Sequence, residues 1–403
     1  MPYVVYYSHT NSERRFKMNK QNIPAPETVS ERNYGIDLLK IVAMLFICML
    51  HVCNQGGVVA SSKTYPDNYN MVMFLKALTY GALDMYAIIS GYVGYNKKFK
   101  LSRPLRIWIE LICYTLLSTH LITVFSPEIL PENAWFKSFF PVMTREYWYM
   151  TAYFGMVILM PFLNAAIQKA SMKIMSVSLA GVLLFYCALP NIMDVSVFGL
   201  GGGYSTLWLC VLYLVGGYLA KLKKKPHPLL SFGMFILMVL FTWLLKLKEY
   251  PSAFDYTAPT VMLGAVFMVL TFSQIKIKPR PLQKIISFVV PSTLGIFIIH
   301  VHTFFWDNFL KNCLKNFAKE QTLLLGLRIF AAALFIFVVC GAVDVIRRGL
   351  FWYINTVLLP KLDKFLEKLF ADKKPKESEK LPAEAPADTP PANNQDNNKG
   401  PSA

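Results

Sequence analysis

An all-α integral membrane protein of about ten transmembrane helices is the fold class that this 403-residue chain predicts. Three observations predict it. Hydrophobic residues make up 55% of the chain and charged residues 16%, which fits neither a soluble domain nor a disordered chain. About ten apolar stretches recur, most of them near the roughly 20 residues that a helix needs to cross a hydrocarbon core of about 30 Å. The breaks between them are short and rich in Lys and Arg.

The stretches lie near 35–54, 71–93, 103–125, 147–168, 174–190, 204–220, 229–247, 257–273, 286–306 and 322–346. The first follows a long polar arm and is too long for the core of a cleavable signal, so it is read as a permanent span. With the N-terminus inside, the cytoplasmic breaks hold seventeen Lys and Arg and the outer breaks eight, which predicts that both termini are cytoplasmic. The chain then divides into a cytoplasmic N-terminal arm (1–34), a membrane domain (35–346) and a cytoplasmic interfacial segment with a tail (347–403). The arm carries Arg14, Arg15, Lys17, Lys20 and Arg32, which suit an anionic leaflet, and Met18 is an alternative start. From Pro382 the tail is Pro, Ala, Asn and Asp, a composition expected to stay solvated.

Lys and Arg exceed Asp and Glu by 41 to 24, a net charge of +17. In a polytopic chain that excess collects on cytoplasmic loops, so the lipid bilayer and not a nucleic acid is the expected partner. Seven Cys include Cys48, Cys113, Cys187, Cys210 and Cys340 inside apolar runs, with no CxxC pair. Neither a disulfide framework nor a zinc site is expected.

Chemistry is read from ionisable residues inside apolar spans, where each is expensive unless paired or facing a polar cavity. In the first span, Lys40 and His51 are eleven residues apart, about 20° around the helix and roughly 16 Å along it, so one stripe carries both. Asp37 precedes Lys40 by one turn; a local ion pair with a snorkelling Lys40 explains these two equally well. His51 is either a titratable group near the outer side or a satisfied structural histidine.

The third span repeats the pattern. Arg103, Arg106 and Glu110 follow i, i+3, i+7 spacing, with His120 about 40° from Arg106. The arginines at the inner mouth present forks that suit phosphate, or simply set topology. Glu110 is the more unusual residue, and neutralising Arg106 is its plain role. In the second span Asp84 lies near mid-membrane, and Ser90-Gly91 is a small pair of the kind that permits close helix packing. Trp148 and Tyr149 open the fourth span at the outer interface, as belt aromatics do. His300 and His302 of the ninth are about 200° apart and cannot share one narrow pocket, so no metal is expected there.

ERNYGIDLLKIVAMLFICMLH resembles the first helix of the acyltransferase 3 family of membrane acyltransferases, whose Arg or Lys, ten residues, then His motif falls on Lys40 and His51. LDMYAIISGY is similar to the family's Asp…Ser-Gly segment at Asp84, Ser90, Gly91 and Tyr92. RPLR matches its Arg-x-x-Arg motif at Arg103 and Arg106. WYMTAYFGMVILMPFLN resembles its Trp-Tyr-Leu…Pro segment at Trp148, Tyr149 and Pro161, and STLGIFIIH its Gly-x-Tyr-x-x-His segment at Gly295 and His300. The resemblance spans about residues 31–346. Lys40 stands for the commoner Arg, Met150 for Leu and Phe297 for Tyr. Some relatives append an extracellular esterase-like domain; here the tail is too short and polar for one, so the acyl group is expected to reach its acceptor from the membrane domain.

The resemblance implies a multi-pass cell-membrane enzyme. It moves an acyl group, most often acetyl, from cytoplasmic acyl-CoA to a hydroxyl of an envelope glycan or its lipid-linked precursor. On that footing Lys40, Arg103 and Arg106 meet the donor phosphates and His51 is the general base, with a covalent acyl-histidine as the variant. Asp84 and Glu110 orient His51 or pair with the basic residues, while His300, Trp148 and Tyr149 face the acceptor. The main rival is a polytopic glycan or lipid transporter, which would place polar sites at the midplane of broken helices and show paired repeats; no repeat is evident.

Overall fold

The computed structural model describes residues 32–369. The basic arm before Arg32, with Met18, and the Pro/Ala-rich tail lie outside the described residues. Among these, nine helical segments are long and apolar enough to cross a bilayer: α1 (Tyr34–Asn54), α2 (Pro66–Gly94), α3 (Ser102–Phe125), α4 (Trp148–Lys169), α5 (Met172–Met193), α7 (Pro228–Leu247), α8 (Pro251–Ser273), α9 (Arg280–Val301) and α10 (Thr322–Leu350). A shorter apolar helix, α6 (Thr206–Lys221), makes ten, and α11 (Leu359–Leu369) follows the bundle. Arg32 stands at the start of α1, and α11 is tied to Ser102 at the start of α3, at what is called the terminal face; His51 lies toward the opposite end of α1, at the far face.

α1 is the centre. Asn33 caps its start by accepting from the Ile36 amide at 3.1 Å, and the same side chain donates to the Ser273 carbonyl at 2.9 Å, fixing α1 to the end of α8. Its apolar residues are buried on almost every side, against α2, α8, α9 and α10, which is why they show little helical stripe. α5 and α7 stand at the rim, with most side chains facing outward.

The Ser90-Gly91 pair is a packing device. A Cβ on Gly91 would lie 1.9 Å from the Tyr213 carbonyl oxygen, and one on Gly216 would lie 2.0 Å from that of Ile88, so α2 and α6 meet backbone to backbone. α2 also begins earlier than its hydropathy suggests, at Pro66, and is interrupted at Gly81, where the turn departs from helical geometry.

The ninth helix is where the sequence-based boundary fails most. The apolar run continues to Trp306, but the helix stops at Val301: His302 is extended (ψ 137°), and its Nδ1 accepts from the Phe304 amide at 3.1 Å to start a new turn. Burial pushes the His302 imidazole down to about 4, which keeps that lone pair available at neutral pH. Hydropathy cannot register such a break, because the residues on both sides are apolar.

Candidate active site

The site is built from two adjoining cavities and a histidine pair. A mouth cavity of about 650 Å³ opens at the terminal face. Arg103 and Arg106 reach it from the first turns of α3, with Lys97 and Lys100 from the preceding loop; Asp363, Lys364 and Glu367 of α11 form the opposite wall. Asp363 holds α11 in place, accepting from the Ser102 amide at 3.0 Å and the Ser102 hydroxyl at 2.6 Å. Ser90, Val93, Ile107 and Tyr153 also wall a second, inner chamber of about 340 Å³, mostly apolar, which runs among α1, α2, α4 and α9 to Ile47, Met150 and Phe297. Its polar groups are few: Lys40, Tyr86, which donates to the Lys40 carbonyl at 2.6 Å, and the Ser90 and Tyr153 hydroxyls, 3.0 Å apart.

Beyond the chamber stands His51, one turn past Ile47. Its Nδ1 is 2.9 Å from Nε2 of His300, and the Nδ1 of His300 is 2.6 Å from the Ile296 carbonyl oxygen. A carbonyl oxygen only accepts, so His300 carries its proton on Nδ1. In a neutral ring its Nε2 is then the acceptor, His51 donates from Nδ1, and Nε2 of His51 holds an unshared lone pair. His300 is fully buried and His51 partly exposed. Phe297 separates the pair from the chamber: it lines the chamber, and its ring meets His300 edge-on at 6.2 Å and Tyr149 at 5.8 Å. His51 also meets the indole of Trp306 at 5.2 Å.

The expected residues fall into separate places. Arg103 and Arg106 share the mouth cavity, but Lys40 does not join them. It lines the inner chamber and is paired with Asp37 at 2.8 Å, which in turn binds Arg32 at 2.6 Å. Neither Asp84 nor Glu110 bonds to His51. Asp84, fully buried, accepts from Trp208 Nε1 at 3.1 Å. Glu110 pairs with Arg347 of α10 at 2.9 Å, not with Arg106 of its own helix, since α10 brings a guanidinium to its buried face. His300 is the ring partner of His51, so the structure places it on the imidazole and not on an open acceptor surface. Tyr149 lines the chamber and donates to the Leu83 carbonyl at 3.1 Å, while the Trp148 ring lies tilted against Tyr204 at 4.3 Å in a cluster with Tyr256. His120 is exposed and apart from all of these.

Residues not singled out in sequence complete the picture. Arg347 also holds Asp344 at 2.8 Å, and Tyr114 donates to Asp344 at 2.7 Å, so α3 and α10 are locked inside the bundle. Asp344 in turn abuts Gly295, where a Cβ would fall 2.0 Å from its Oδ1; this contact sets α9 against α10 and hence the height of His300. Asp344 and Arg347, one turn apart at the end of an apolar span, were a readable signal, but Arg347 counts equally well as a topology-setting charge. Among the described residues no three His, Cys, Asp or Glu side chains gather as a metal ion would require.

No curated protein and no solved structure matches the chain. The family model described as acyltransferase domain, that of acyltransferase 3, matches residues 33–347, a stretch that includes every site residue above from Lys40 to Arg347. Most of the chain is thus accounted for by one family, and this multi-pass membrane protein belongs to the acyltransferase 3 family.

Proposed function

We propose that the chain transfers an acyl group, most simply acetyl, from cytoplasmic acyl-CoA to a hydroxyl of an envelope glycan or its lipid-linked precursor. The terminal face is then cytoplasmic and the far face outward, in keeping with the charge bias of the loops, and residues 35–346 form the working unit in the cell membrane.

One observation carries the reading: a cationic mouth adjoins an inner chamber that reaches Phe297, whose ring packs on His300, and the bonding of His300 to the Ile296 carbonyl and to Nδ1 of His51 leaves Nε2 of His51 free to accept a proton. Coenzyme A is a polyanion with a long flexible arm. Arg103 and Arg106, with Lys97 and Lys100, suit its phosphates. The chamber suits the arm, with the Ser90 and Tyr153 hydroxyls for its amides, and Lys40 serves this inner stretch while balanced by Asp37. Lined in this way, the path excludes bulk water from the thioester.

Nε2 of His51 takes the proton of the acceptor hydroxyl as its oxygen attacks the thioester carbon. The carbon–oxygen bond forms, the carbon–sulfur bond breaks, and the departing thiolate takes that proton, leaving an ester and free coenzyme A. His300 stabilises the transient imidazolium by accepting from Nδ1 and passes its own N–H to the Ile296 carbonyl. Asp84 and Glu110 act through the bundle, as supports of α2 and α3. An acyl group carried on His51 itself is the variant with the same residues.

The test is transfer of radiolabelled acetyl from acetyl-CoA by the purified protein in lipid nanodiscs, with de-O-acylated envelope polysaccharide as acceptor. Labelled ester is expected from the native chain and none from His51→Ala. Normal transfer by that variant removes the assignment.

A further inference from the structure

Resting on that reading, we infer that Trp306 and Gln55 form the subsite for the acceptor, and that it takes a sugar ring. The inner chamber reaches Phe297; Trp306 does not line it, and its partly exposed indole stands 5.2 Å from the His51 ring, tilted by 48°. An acceptor arriving from the far face meets this indole before it meets Nε2.

The indole is held for the purpose. It begins the tight turn Trp306–Leu310, where its amide donates to the His302 carbonyl at 2.9 Å and its carbonyl accepts from Lys311 at 2.8 Å. The loop then crosses the end of α1 and is tied to it twice, Asn312 N–H to the Gln55 carbonyl at 2.8 Å and Leu314 N–H to that of Gly56 at 3.0 Å. The break of α9 at His302 is what lets the chain double back over His51 in this way.

Gln55 lies four residues after His51, on the same helical face. Its Oε1 is buried and has no hydrogen-bond partner among the described residues. A buried amide oxygen left without a donor is costly, so a ligand that brings one is favoured there. Asp307 and Asn308, both exposed, border the same turn. The combination asks for a molecule with a flat apolar face for the indole and hydroxyl donors at its edge. A pyranose has both: axial C–H bonds on one face and a rim of hydroxyls, one of which would lie toward His51. A lipid chain has no such rim.

The experiment uses the full chain in nanodiscs, radiolabelled acetyl-CoA and de-O-acylated envelope polysaccharide, and reads transfer alongside the slow hydrolysis of acetyl-CoA by water. Trp306→Ala is expected to lower kcat/KM for the polysaccharide by about tenfold or more, mostly through KM, and to lower thioester hydrolysis by much less. Trp306→Phe retains most of the activity; Gln55→Ala moves in the same direction as Trp306→Ala, and Gln55→Glu, which keeps an accepting oxygen, is milder. An unchanged polysaccharide KM in both Ala variants overturns the subsite, as does an equal fall in transfer and hydrolysis, which would make Trp306 a support for His51. Label recovered on a peptide serine and not on a sugar ring overturns the class of acceptor. A native chain that cleaves no thioester at all removes the acyl-transfer reading itself, and the subsite with it.

Discussion

His300 bonds to His51 across 249 positions of sequence, Nε2 to Nδ1 at 2.9 Å, and it does so with its other nitrogen already committed to the carbonyl of Ile296. The direction of both protons follows from the one group that cannot donate. A carboxylate orienting an imidazole would leave a charge in the bundle; a second neutral ring anchored on its own helix fixes the tautomer without one.

Replacing His300 by Ala is therefore expected to lower kcat by about 10²–10⁴-fold while KM for donor and acceptor change little, because Nε2 of His51 is no longer held as the base. His300→Gln, which offers an atom near the lost Nε2, recovers part of the rate. Steady-state kinetics on the purified variants decide this, and a native kcat in His300→Ala rejects the pairing as functional.

Arg106→Ala is expected to raise KM for acetyl-CoA about 10- to 100-fold with little change in kcat, the range of a lost charge-assisted contact to phosphate. Arg106→Lys keeps the charge but not the fork, and falls between. The donor KM of the native chain is expected to rise with ionic strength, and to do so less steeply in Arg106→Ala.

Gly295→Ala forces a methyl to within 2.0 Å of the Asp344 carboxylate, in a place where both residues are buried. Thermal unfolding in detergent should show a loss of about 1–3 kcal/mol, the usual cost of overpacking. Transfer falls further than stability alone requires, since the displaced helix carries His300.

Arg347→Met leaves Glu110 and Asp344 without their shared cation, in side chains only 7% and 0% exposed. The expected cost is about 3–5 kcal/mol. Adding Glu110→Gln restores part of it, and non-additivity in that pair is the measurement that identifies the contact.

Orientation is readable from one thiol. Cys313 is exposed in the loop at the far face, Cys113 is half-buried, and the other five cysteines are buried. A membrane-impermeant maleimide is expected to label intact cells through Cys313 and to stop doing so in Cys313→Ser. Labelling only after the cells are opened would place the far face inside.

The spans were legible because length and hydropathy act locally: even α5 and α6, expected from stretches of only 17 residues, are helices, Met172–Met193 and Thr206–Lys221. Arg103 and Arg106 could be placed at one mouth from i, i+3 spacing alone, and Lys40 and His51 on one stripe from the helical period. What local pattern could not supply was partnership between helices. Nothing near Glu110 in sequence points to Arg347, nothing near His51 points to His300, and among the described residues the one partner of Asp84 is an indole 124 positions away. Trp306 was hidden for a different reason: an apolar run reads as continuing helix, while the break that turns this indole toward His51 comes from a side-chain cap at His302.

Where Gly91 meets Tyr213 and Gly216 meets Ile88, no side chain cushions one helix from the other. Two rods in such contact have no room to shear, so α2 and α6 move as a single plank. The opposite wall of the mouth, α11, is joined to the start of α3 through the grip of Asp363 on Ser102.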